Sequence, residues 1–181
     1  MERTVLINGG NLAAIKRLIK KTFETSDIKE NKIKISNINK YGDNFSADII
    51  VLNTINPITN LTKAIDKAAN FGAIVLNSDE ENFAGPGLKR PVKLITYGLN
   101  PKSTVTASSI DMEGPVSVQC CIQRSFENFS GDVLEPQEFL VSPGDVSLSV
   151  YDVLAAVSIS LLCGACIKNF SREYAHQTAF G

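Results

Sequence analysis

The sequence predicts an α/β domain with three layers, a mostly parallel sheet flanked by helices, plus a small antiparallel β annex. Three observations carry that expectation. Short uninterrupted apolar runs at 5–7, 49–52 and 73–76 each end in turn-forming residues, as strands buried on both faces do. Between the first two lies a segment with apolar residues at helical spacing, so strand and helix alternate. After Gly98 the pattern changes to short β-rich pieces separated by Gly and Pro, which reads as antiparallel structure.

The first strand, 3–8, runs into Gly9-Gly10-Asn11, which opens a helix over 12–24. Leu12, Ile15, Ile19 and Phe23 share one side of that helix, with Lys16, Arg17, Lys20 and Lys21 opposite. A polar connector over 26–34 leads into a second strand at 32–36, and 37–45 is a loop rich in Asn and Gly. The third strand, 48–53, is followed by a helix over 61–71 carrying Lys63 and Lys67. The next two strands, 73–76 and 92–97, end at Asn77-Ser78-Asp79 and Gly98. Asp79 has the side chain to cap a following helical turn, so a strand-to-helix corner is expected there. In doubly wound sheets ligands sit at the carboxyl ends of the strands, where Asn77, Asp79 and Tyr97 fall.

Pieces at 104–110, 116–122 and 138–141 form the annex, with 126–136 as a loop or wide hairpin end. A closing helix begins near Ser149 or Val150 and is expected to reach about Lys168. The whole chain thus reads as one domain, 1–181: main sheet over about 1–100, annex over about 101–145, closing helix over about 149–168.

Composition narrows the class. A chain of 181 residues is long enough for one well-buried core, and a hydrophobic share of 44% with mean hydropathy +0.04 is globular. Residues 1–40 carry a balance of +5 and the remainder −6. Without interleaved aromatics the basic end reads as solvated helix faces, so no nucleic acid is expected. The uncharged stretch 153–167 is too short to span a bilayer and is broken by Gly164, so no membrane is expected either. With no apolar leader at the start, the expected location is cytoplasmic. Cys163 and Cys166 fall near a helix C-terminus, where the dipole does not activate thiols, and Cys120 and Cys121 alternate on a strand. Buried small hydrophobes are favoured over metal or redox chemistry.

Three motifs resemble a known family. Asn77-Ser78-Asp79-Glu80 is similar to the Asn-x-Asp-Asp corner of the Mur ligases, which add amino acids to a UDP-muramoyl peptide using ATP. Thr96-Tyr97-Gly98-Leu99-Asn100 resembles the "TYG" strand that follows in that family. The helix opening Val150-Tyr151-Asp152-Val153-Leu154-Ala155-Ala156-Val157 resembles "YNxLAA". The three occur in family order and imply the P-loop-like central domain of a Mur ligase, without the family's N-terminal and C-terminal domains.

The resemblance also implies a phosphate loop where Gly9-Gly10 stands, but Asn11, Leu12, Ala13 and Ala14 supply neither its lysine nor its hydroxyl. Ile58 and Thr59 stand where an Asp-His pair is expected, and Ser149 and Asp152 where two asparagines face adenine. No catalytic residue and no metal ligand is therefore expected. No cofactor is expected either, ATP with Mg²⁺ being the one the family would use. The candidate nucleotide- or anion-binding residues are Gly9, Gly10, Asn11, Asn77, Asp79 and Asp152. Three functions follow as expectations: a non-catalytic relative that works through a protein partner or as a homo-oligomer; a binding module for a nucleotide or anionic metabolite; and an amide-forming ligase fragment completed by another chain.

Overall fold

A computed structural model describes residues 3–24, 33–41, 47–53, 72–80 and 92–170. The expected helix at 61–71 and the loop positions Ile58 and Thr59 lie outside the described residues. Among the described residues the chain forms β1 (Arg3–Asn8), α1 (Leu12–Glu24), β2 (Ile33–Asn37), β3 (Ile49–Leu52), β4 (Ala73–Asn77) and β5 (Lys93–Tyr97). These are followed by β6 (Val105–Asp111), β7 (Ser117–Ile122), β8 (Phe126–Glu127), β9 (Val133–Leu134), β10 (Gln137–Val141) and α2 (Val150–Leu162). Two short 3-10 turns, Ile38–Lys40 and Ile167–Asn169, complete them.

Eight strands form one sheet in the order β10-β7-β6-β5-β4-β3-β1-β2. From β2 to β6 the pairs are parallel, and β6-β7 and β7-β10 are antiparallel. The architecture is the expected one, and the annex divides in two. Three of its strands extend the main sheet, while β8 and β9 pair in a separate two-stranded ribbon. The join is thin, since β5 and β6 share a single registered pair, Tyr97 with Val105.

The apolar runs explain the centre of the sheet. Every residue of β3 and β4 is buried, as expected of strands covered on both faces. Helices α1 and α2 pack together on one face, over Val5, Ile7, Val51, Val75, Ile95 and Tyr97. Helix α1 buries Ile15 and Ile19 of the apolar side read from the spacing, together with Ala14 and Leu18, while Leu12 and Phe23 are partly buried and the lysines turn outward.

Helix α2 is buried nearly all round because it lies between the sheet and α1. It ends at Leu162, six residues before the expected limit. Gly164 sits at φ 93°, where a side chain is disfavoured, and Ala165 N–H donates to the Ser160 carbonyl at 2.9 Å. Gly164 N–H donates to the Leu161 carbonyl at 3.0 Å, completing a Schellman stop that a longer helix cannot survive.

Candidate functional site

Strand β1 pairs with β2 on one side and β3 on the other, so the chain changes direction across the sheet at β1. The crevice outside the carboxyl ends of β1 and β3 is where such a sheet places a ligand. A cleft of about 270 Å³ opens there, lined by Gly10, Asn53, Asn77, Asp79, Glu80, Ser149, Tyr151 and Asp152.

Its floor is a row of asparagines. Asn8 ends β1, Asn53 follows β3 and Asn77 ends β4, so adjacent strands close on the same residue type. Asn53 N–H donates to the Asn8 carbonyl at 3.0 Å, and Asn77 Nδ2 donates to the Asn53 carbonyl at 3.2 Å. Tyr97, fully buried at the end of β5, donates its hydroxyl to Asn53 Oδ1 at 2.6 Å. Burial holds the Tyr97 phenol well above its ordinary pKa, and the charges of Asp152 and then Glu80 push the same way. Tyr97 is therefore a neutral donor across the physiological range.

One wall is the glycine turn. Gly9 and Gly10 have φ of 80° and 72°. A side chain at Gly10 would meet Asn53 Nδ2 at 2.1 Å and Asp152 Oδ1 at 2.7 Å, so the position is closed to any other residue on both counts. Asn11 then caps α1: its Oδ1 accepts from Ala14 N–H at 3.2 Å, and its Nδ2 donates to the Ser147 carbonyl at 3.1 Å.

The opposite wall is the start of α2. Ser149 and Asp152 form a capping box, with Asp152 N–H donating to Ser149 Oγ at 3.2 Å and Ser149 N–H to Asp152 Oδ2 at 3.1 Å. Ser149 Oγ also donates to that oxygen at 2.8 Å, and Asn11 N–H donates to Asp152 Oδ1 at 2.9 Å. A buried carboxylate needs such donors, and Asp152 has three. It thereby ties the glycine turn of β1 to the helix 141 residues further on.

The turn that Asp79 is expected to cap lies beyond Glu80, outside the described residues. The Asp79 oxygens accept from Leu99 N–H at 2.5 Å, Asn100 N–H at 3.0 Å and Tyr151 Oη at 3.2 Å. Asp79 holds the loop after β5 against α2. Tyr151 is pushed above its ordinary pKa by partial burial first and by Asp79 second.

Of the six candidate residues, Gly10, Asn77, Asp79 and Asp152 line the cleft, Asn11 joins it through Asp152, and Gly9 supplies the turn. Asn53, Glu80 and Tyr151 were not among the candidate residues, although Glu80 and Tyr151 stand in the quoted motifs. The available signal was the repeated apolar-run-then-Asn pattern at 8, 53 and 77. The cysteines stay outside the site: Cys120 and Cys163 are buried, Cys121 is half-buried and Cys166 exposed. Burial pushes the Cys163 thiol up to about 12. No group of three metal-ligating side chains occurs among the described residues.

The fold and the cleft define a doubly wound α/β domain with a ligand crevice at its switch point. No protein-family profile and no curated protein matches the chain. Among solved structures it is similar to MurF from Acinetobacter baumannii, with a TM-score of 0.62 and 10% identity over 95% of this chain and 45% of that one. It is also similar to the UDP-N-acetylmuramate-alanine ligase MurC from Thermotoga maritima, with a TM-score of 0.55 and 11% identity over 93% and 44%. The fold is Mur ligase-like, and the chain spans a little under half the length of either structure. No described helix is long and apolar enough to cross a membrane.

Proposed function

We propose that this chain is a Mur ligase-related domain of the cytoplasm that carries out no phosphoryl transfer and acts as a scaffold for a protein partner or a second copy. The observation that carries this reading is the position of Asp152. Its carboxylate takes the Asn11 amide at the start of α1, the kind of donor a phosphate would use. A triphosphate brought to the cleft would also face Asp79 and Glu80, with no lysine or arginine among the described lining residues. Phosphoryl transfer depends on cations and backbone donors around the γ-phosphate. The described residues of this cleft do not fit ATP–Mg²⁺.

Titration calorimetry with ATP–Mg²⁺ and a phosphate-release assay test the proposal together. Neither heat of binding nor released phosphate is expected. Saturable ATP binding ends the reading.

The Mur ligase-like fold supports a second reading, an ATP-dependent amide-forming ligase fragment completed by another chain. Magnesium-dependent phosphate release that requires a second protein favours it, since the scaffold reading expects none under any pairing.

A further inference from the structure

We propose that the open edge of β6 is a dimerisation surface, on which a second copy of the chain adds its own β6 antiparallel. Strand β6 spans Val105–Asp111 and shares with β5 only the pair of Val105 with Tyr97. It runs parallel to β5, so from Thr106 onward it stands beyond the carboxyl end of that strand. There β7 pairs with one side of it, and no strand among the described residues pairs with the other. Backbone groups of such a strand point alternately to its two edges. The Thr104 carbonyl accepts from Gln123 N–H on the β7 side, and the Val105 carbonyl from Gly98 N–H on the other. By that alternation Ala107 aims its N–H and C=O at the open side. An edge of this kind is a template for another strand.

The sequence of the edge argues for a second copy as the occupant. Two β6 strands set antiparallel about a two-fold axis between Ser108 and Ser109 place Ala107 opposite Ile110, Ser108 opposite Ser109 and Thr106 opposite Asp111. The result is an apolar pair, a hydroxyl pair and a hydroxyl–carboxylate pair, with no like charges opposed. Ile110 and Met112, 37% and 77% exposed, are the apolar side chains this pairing covers. The same geometry lays the acidic hairpin tip of each copy, Asp111 and Glu113, beside the start of the other's β6. Exposed Lys102 stands just ahead of that start, so the two charges are complementary.

The edge also discriminates. Its register against β7 shifts between Ala107 and Ser109, which makes Ser108 a bulge. A bulge sharpens the local twist and turns away a flat strand. A second β6 carries the same bulge at the same place, which favours the copy over an unrelated peptide. The inference deepens the scaffold reading and rests on its second-copy form.

Sedimentation velocity on the full chain from ~10 to ~500 µM is expected to show the 19.6 kDa monomer giving way to twice that mass. Ile110 lies outside the buried core, so Ile110→Lys should keep the fold and weaken association about tenfold or more. Lys102→Glu should weaken it too, and Glu113→Lys in the same chain should restore it. Hydrogen exchange at the Ala107 amide should slow as the dimer fills. A chain that stays monomeric overturns the proposal. So does a dimer that Ile110→Lys leaves unchanged, a charge swap that restores nothing, or an Ala107 amide that exchanges at the monomer's rate. The scaffold reading fails separately: ATP binding by a dimeric chain ends that reading and leaves the dimer. A monomer that binds no ATP ends the dimer and leaves the protein partner.

Discussion

Tyr97 donates to Asn53 inside the core, and both the ring and the acceptor are out of solvent. Removing only the hydroxyl leaves the packing almost intact and orphans Asn53 Oδ1. A buried acceptor without a partner costs about 1–3 kcal/mol. Tyr97→Phe is thus expected to lower the free energy of unfolding by that much, read as a lower urea midpoint with an unchanged m-value. A neutral result would mean that water reaches Asn53 and the cleft floor is wet. The pair also shows what sequence reading misses. Asn53 looked like an ordinary strand-ending turn residue, because the group that gives it a role is 44 positions away. Asp79 likewise accepts from donors 20, 21 and 72 residues distant, which the fold and not the local sequence brings to it.

Local rules did suffice for the elements themselves. The limits of β1 and α1 were legible because Asn8, the two glycines and Asn11 punctuate them. The stop of α2 was legible in Gly164, which interrupts the apolar run, and the overlong expectation came from weighing uncharged residues above the glycine. The link between these helices makes a pH prediction. Arg17 on α1 bonds Asp145 ahead of α2 at 2.6 Å. Hydrogen bonds from Ser147, and then from Arg17, hold the Asp145 carboxyl at about 2, below its usual 3.8. The folded pKa is depressed, so the contact contributes fully above pH ~4 and is lost as pH falls towards 2. Both side chains are solvated, which limits the contribution to below about 1 kcal/mol. The stability difference between the native chain and Asp145→Asn should be constant from pH 5 to 7 and mostly gone by pH 2. A difference that grows on acidification contradicts the assignment.

For the molecule as a whole, the question is what joins the five parallel strands β1–β5 to the three strands β6, β7 and β10 beyond them. The β5-β6 ladder offers one registered pair, too little to couple two halves. Helix α2 spans the seam, packing on β4 and β5 on one side and β6 and β7 on the other. Its apolar surface is buried almost all round, and burying each Leu, Ile or Val contributes ~1.5–3 kcal/mol. The halves are therefore expected to unfold as one unit, with coincident urea transitions by far-UV circular dichroism and tyrosine fluorescence. Leu154, fully buried on α2, is the place to loosen the joint. Leu154→Ala removes contacts worth ~2–5 kcal/mol. If α2 is the coupling element, this variant lowers the midpoint and pulls the two probes apart, since the tyrosines Tyr97 and Tyr151 report the seam and the helix lying across it. A Leu154→Ala protein that is destabilised yet keeps coincident transitions would place the coupling in the ladder between Tyr97 and Val105.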